Sequence, residues 1–232
     1  MTADINHTHT DLKGGWLRPA VFGVMDGLVS NSALIAGIVG AGASVSTVTV
    51  SGMAGLAAGA FSMAAGEYVS VKSDTEAIQA EVEAERRELL LNPEEEEKEL
   101  AEMYQARGVS PELARAVAAE LSKDPEHALD IHVREELGVD KDDLPSAVVA
   151  GVSSFISFSL GALVPVLPYL LGATNFTLSG IFTAVALFGT GAAVSYLTPR
   201  TWWFSGLRQL GFGAAAAAVT FVVGTLVGAQ LG

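Results

Sequence analysis

The chain has 232 residues, half of them apolar, and a formal charge of −13. A positive mean hydropathy beside so much charge does not fit an ordinary soluble domain; it fits a membrane protein whose charge is segregated. There is no cysteine, which excludes structural disulfides and any thiolate metal site.

The polar start, MTADINHTHTDLKGGWLRP, lacks a charged-then-apolar cleavage pattern, so the first apolar segment is expected to be a retained membrane helix. His7 and His9 offer metal donors there, although such a terminus more often reads as a disordered tail. Residues 21–41 are apolar except for Asp26, and residues 48–70 are apolar except for Glu67. Each suits a bilayer core, which takes about 20 helical residues. From 71 to 145 the composition inverts to acidic, basic and helix-forming residues. Residues 147–171, 176–197 and 209–231 are then uncharged. The fold class predicted is an all-α membrane protein with five transmembrane helices and a three-to-four-helix insert between the second and third. Its domains would be a tail over 1–20, helices 1 and 2 over 21–71, an acidic metal-binding domain over 72–145 and helices 3 to 5 over 146–232.

Orientation follows from the basic residues. Lys13 and Arg18 precede the first span, Arg200 and Arg208 separate the last two, and every other Lys and Arg lies between Lys72 and Lys141. Five spans place these three regions on one side of the membrane. The positive-inside rule makes that side the cytosol, with the C-terminus outside. Trp202, Trp203 and Phe204 beside Arg200 read as an interfacial aromatic anchor.

Within the insert, Ser73–Leu91 reads as a helix ended by Asn92-Pro93, and residues 94–107 as a second closed by Gly108. Ser110-Pro111 and Asp124-Pro125 are N-cap and first-turn pairs opening residues 111–122 and 125–137, the latter closed by Gly138. Glu81, Glu85 and Glu88 share one helix face, Glu96 and Glu99 share another, and His132 and Glu136 are four apart on a third. Like charges at this spacing repel unless a cation lies between them, and converging Glu and His suit Fe(II), Mn(II), Co(II) or Zn(II). The bland alternative is a solvated acidic surface.

Asp26 and Glu67 are the only ionisable residues in the five spans. A charge in hydrocarbon costs on the order of a few kcal/mol or more, so such residues mark ion or proton paths. Glu67 reads equally as a boundary residue that snorkels to the cytosolic surface. Met63, one turn before it, is either a thioether ligand that tolerates Fe(II) or ordinary packing. Gly55-xxx-Gly59 and Gly224-xxx-Gly228 permit close helix approach. Pro165 and Pro168 would break or kink the third span. No Walker or GxGxxG sequence is present, so transport would run on a gradient.

Asp26-Gly27-Leu28, the run Ala60-Phe61-Ser62-Met63-Ala64-Ala65-Gly66-Glu67-Tyr68, the Pro165-x-x-Pro168-Tyr169 motif and the glycine-rich fifth span occur in this order. Together they resemble the vacuolar iron transporter family over nearly the whole chain, as a prokaryotic-type member. The resemblance implies a homodimer in membrane lipid that exports Fe(II), and often Mn(II), from the cytosol in exchange for protons along a path at the dimer interface. It assigns the membrane aspartate and methionine to Asp26 and Met63, the four domain glutamates to Glu85, Glu88, Glu96 and Glu99, and a further glutamate to Glu136. Glu81 is then a neighbour, and Glu67 is not covered. His132 and Val133 stand where plant members have two methionines, which makes the site harder and suits Mn(II) and Zn(II) alongside Fe(II). The expected membrane is that of a prokaryotic cell, with a vacuolar membrane as the alternative. No catalytic residue, enzymatic activity or nucleic-acid partner is expected. The competing class is a membrane-anchored metal-storing or ferroxidase-like di-iron protein, which favours a Glu-x-x-His on each of two helices.

Overall fold

The computed structural model describes residues 15–197 and 199–231. The described residues are helical with no strand, and five helices are long and apolar enough to cross a membrane. His7, His9 and Lys13 lie outside the described residues. The described residues divide into two compact units, one of residues up to 69 together with those from 147 onward and one of residues 70–146.

In the first unit, α1 (Leu17–Gly40) packs against α6 (Ala147–Leu170), α7 (Phe176–Val194) and α8 (Trp202–Leu231). The initial part of α2 (Val45–Leu91) completes it. Close approach depends on glycine: a Cβ on Gly224 of α8 would overlap the Gly37 carbonyl of α1, and one on Gly161 of α6 would overlap the Val24 carbonyl. The close Gly224 approach is what a small-xxx-small stripe provides where helices pack without a hydrophobic drive. Ile35, Val48, Val166 and Tyr169 form one core cluster, and Ala60, Phe158 and Ala162 another. The outer faces stay apolar, with Phe22, Phe61, Leu160, Phe182 and Phe212 exposed. Such a surface belongs in hydrocarbon rather than water.

Three expectations change here. The second span and the first helix of the polar segment are one uninterrupted helix, α2. The reason is local: between Gly66 and Asn92 no Gly or Pro interrupts it, so the polarity changes while the helical preference does not. Similarly, Pro165 and Pro168 do not end α6, which runs through both. Each proline removes one donor, to the Gly161 and Val164 carbonyls in turn; separately, Ser179 Oγ of α7 donates to the Pro165 carbonyl at 2.6 Å and ties α7 to α6. Helix α8 also begins earlier than expected, at Trp202, so the aromatic trio forms its first turn.

The second unit holds the end of α2, then α3 (Pro93–Ala106), α4 (Pro111–Leu121) and α5 (Pro125–His132), which passes into a π-helical turn over Val133–Leu137. Leu100, Ala101 and Ala118 form its core with Met103, Tyr104, Leu121 and Ile131 against them. The Asp124 carboxylate caps α5 by accepting from the Glu126 and His127 amides. Ser110 occupies the corresponding place before α4 without a side-chain cap bond. Gly138 closes the π turn with φ 68°, a left-handed conformation that glycine adopts without strain.

Candidate metal centre

Three chain segments of the second unit each bring donors to one point: α2 brings Glu85, α3 brings Glu96, and the α5–π segment brings His132 and Glu136. One donor atom from each lies within 4.8 Å of all the others. His132 Nδ1 lies 3.0 Å from Glu85 Oε1, 3.1 Å from Glu136 Oε1 and 3.7 Å from Glu96 Oε2. The imidazole is 0% exposed, and Glu96 is 8% exposed. Four carboxylate and imidazole donors around one point form the kind of set that holds a divalent first-row ion.

Polar contacts here are incomplete in a telling way. Glu85 Oε1 is close to His132 Nδ1 yet receives no hydrogen bond, and His132 Nε2 is buried without a partner among the described residues. Buried polar atoms are normally paired, so groups that crowd together without bonding leave an unmet demand for charge. Burial first, and the Glu136 carboxylate second, push the Glu85 carboxyl from 4.5 up to about 7, although the His132 side chain opposes them. Glu96 is also raised, by burial and then by Glu99, with smaller contributions from Glu136 and Glu88. Clustered carboxylates that resist ionising together lose that penalty when a cation enters.

The scaffold holds these donors by ion pairs at its margins. Arg86 of α2 pairs with Glu126 of α5, and Arg107, which caps α3, pairs with Glu135 of the π turn. Glu135 and Glu136 are thus neighbours in sequence with separate partners. A π turn widens the helix locally and is frequent at functional sites.

The remaining residues singled out from sequence take other places. Glu81 and Glu88 line a cavity of about 90 Å³ together with Glu85, Val133, Glu136 and Leu137. Glu88 is exposed, its Oε2 accepting from Asn92 at 2.8 Å, while the exposed Glu99 acts on the cluster through its charge. In the first unit, Asp26 is partly buried in α1. Met63 packs against the Ala60–Phe158–Ala162 cluster, and Glu67 is partly exposed. The sequence signal for Asn31 is its place in the run Val29-Ser30-Asn31-Ser32, which makes the lining of the first span more polar. Its side chain joins three helices, donating from α1 to Gly52 of α2 and Ala162 of α6.

Five apolar helices with a separate helical unit that gathers carboxylates around a histidine define a polytopic membrane protein with a candidate divalent-metal centre. The sequence model of the VIT family matches residues 17–225, and the chain belongs to that family. It is 34% identical over 226 residues to Vacuolar iron transporter 1 of Arabidopsis thaliana, covering 96% of this chain and 90% of the relative. It is 36% identical over 211 residues to Vacuolar iron transporter 1 of Eucalyptus grandis, covering 90% and 85%. The Vacuolar iron transporter of Acanthamoeba castellanii is 37% identical over 229 residues, covering 95% and 82%.

Proposed function

We propose that this protein carries Fe(II), and Mn(II) with it, out of the cytosol in exchange for protons. The observation that carries this reading is the convergence of Glu85, Glu96, His132 and Glu136 in a chain whose other unit is a bundle of apolar helices. Relatives named as iron transporters support the iron cargo. A borderline carboxylate–imidazole set also accepts Mn(II), Zn(II) and Co(II). In this reading the acidic unit lies in the cytosol and captures the ion, with Glu81, Glu88 and Glu99 raising the local cation concentration. Asp26, with Met63 as a soft neighbour, then receives the dehydrated ion in the membrane, and a proton taken up by Asp26 displaces it on the far side. Glu67 is the boundary carboxylate through which protons or ions reach the path. The working unit is a homodimer in a prokaryotic cell membrane, with the N-terminus inside and the C-terminus outside.

The test is proteoliposome flux with an imposed pH gradient, reading Fe(II), Mn(II) and proton movement together. The wild type is expected to move metal and protons in opposite directions. An Asp26→Ala variant that exchanged Fe(II) for protons at the wild-type rate would overturn the mechanism. Oxygen consumption by the full chain on Fe(II) addition would instead favour the di-iron alternative. The four-donor cluster, with its single imidazole, gives that alternative one histidine where a bundle of that type uses two.

A further inference from the structure

Helix α7 is held to its neighbours at two levels and gapped between them. Near its start, Ser179 Oγ donates to the Pro165 carbonyl of α6. Near its end, Gly191 approaches α8 so closely that an added Cβ would stand 2.6 Å from the Ser205 carbonyl. Helix α8 then leaves α7 for α1: Thr220 Oγ1 donates to the Ala33 carbonyl at 2.6 Å, and Gly224 meets Gly37. Where α7 and α8 part, a half-open cleft of about 180 Å³ remains between them, with Ser32 of α1 in its wall. Small residues create it: Gly180 and Ala184 on α7, Ala214 and Ala217 on α8. Its lining on α7 runs from Phe176 to Leu187, three turns or about 16 Å. The cleft is therefore long rather than round.

Its chemistry is apolar. Only two hydroxyls line it. Ser32 Oγ donates to the Val29 carbonyl of its own helix at 3.0 Å, and Thr183 Oγ1 is buried without a partner among the described residues. A trapped water needs about two to four polar partners, which this lining does not provide, whereas apolar cavities of about 150 Å³ stay dry and take apolar guests. On the same stretches of α7 and α8, the outward side chains Ile181, Phe182, Val185, Phe212 and Val219 are exposed. Those faces belong in hydrocarbon, so the cleft adjoins lipid tails rather than water.

We propose that this cleft seats one acyl chain of a membrane phospholipid, which fills the gap between α7 and α8. Helices in a membrane are held by packing, and an empty gap forfeits dispersion contacts along both of its walls. A linear apolar chain matches the length and the lining, and the bilayer supplies it at the open side. The site lies wholly among α1, α7 and α8, and it stands whether or not the transport reading does.

The full chain is purified in digitonin, a detergent without a linear tail, stripped of lipid and titrated with dioleoylphosphatidylcholine. Bound phospholipid is counted by phosphorus assay after gel filtration, and the melting temperature is followed over the same titration. Gly180→Leu fills the cleft from a position whose Cβ would have only ordinary contact, 3.6 Å from Phe176 Cε1. Gly211→Leu makes the same exchange on α8 where the Cβ meets open space. Gly180→Leu is expected to bind one phospholipid per chain fewer than the wild type and to lose the lipid-dependent rise in melting temperature, while Gly211→Leu keeps both. Ala217→Leu fills the cleft from the α8 side and is expected to repeat the loss, so the result does not hang on one variant folding. Equal bound phospholipid and an equal rise in both filled variants and in Gly211→Leu overturn the proposal. Thr183→Val keeps the shape and removes the hydroxyl; it is expected to bind lipid as the wild type does, and a loss there would mark a hydrogen-bonded occupant and overturn the acyl chain. Glycerophosphocholine, the headgroup without chains, is expected to leave the melting temperature unchanged, and a rise would place the site at the headgroup instead. A lower oligomeric state in the filled variants, read by light scattering, would give the cleft to a second copy of the chain and likewise overturn the proposal.

Discussion

Metal binding at the acidic cluster should depend steeply on pH, and Glu85 should be the reason. Its carboxyl is pushed up to about 7 by burial and by Glu136, so in the metal-free protein it keeps its proton through the mildly acidic range. A metal ion needs the carboxylate, and binding must displace that proton. With a pKa near 7, the apparent affinity is divided by about 11 at pH 6 and by about 1.1 at pH 8, a loss of roughly tenfold from this one residue. Titrating Co(II) or Mn(II) into the purified full chain at pH 6, 7 and 8 measures it. Repeating each titration in two buffers of different ionisation enthalpy counts the protons released. Glu85→Gln removes the titrating group, so its affinity is expected to be lower at pH 8 and to change about tenfold less than the wild type between pH 8 and pH 6. Equal pH dependence in wild type and variant would refute the reasoning, because Glu85 would then already be ionised in the free protein.

Other outcomes follow from the same geometry. In the metal-free chain, folded Glu85 holds a proton that the unfolded chain releases, so stability falls as pH rises from about 4.5 to about 7; melting at pH 5 and pH 7.5, with excess Mn(II) cancelling the difference, checks the sign. Asp124→Ala removes the cap of α5 and is expected to cost about 1 kcal/mol, read from denaturant midpoints, together with a weaker metal affinity because His132 ends that helix. Gly224→Val sets a branched side chain against the Gly37 carbonyl and is expected to lower the detergent melting temperature by several degrees, whereas Gly211→Val, with open space at its Cβ, should leave it unchanged.

The five spans were legible because hydrocarbon selects on composition, and long apolar runs announce themselves. The boundaries were less so: polarity switches near residue 70, yet α2 continues to Leu91 because helix propensity and polarity are separate properties of a sequence. At the metal centre, spacing put Glu85 and Glu88 on one helix face, and Glu96 and Glu99 on another. It could not decide which member of each pair turns inward. Packing decides that: Glu96 lies four residues before buried Leu100 and shares its inward face, whereas Glu99 is exposed. Asn31 was visible as a polar residue in an apolar span, but its bonds to the Gly52 and Ala162 carbonyls are pairings between helices that no spacing along one helix records.

The π turn at Val133–Leu137 has a consequence for comparing this protein with its relatives. Such a turn holds one residue more than the α turn it replaces, so in evolutionary terms it is an insertion. A relative whose helix is regular throughout would need a one-residue gap somewhere between His132 and Gly138. Aligned without the gap, its metal-facing glutamate would be matched to Glu135, the partner of Arg107, instead of Glu136. Gain or loss of a single residue in this turn would therefore exchange Glu136, a candidate ligand, for Glu135, a brace, without any substitution.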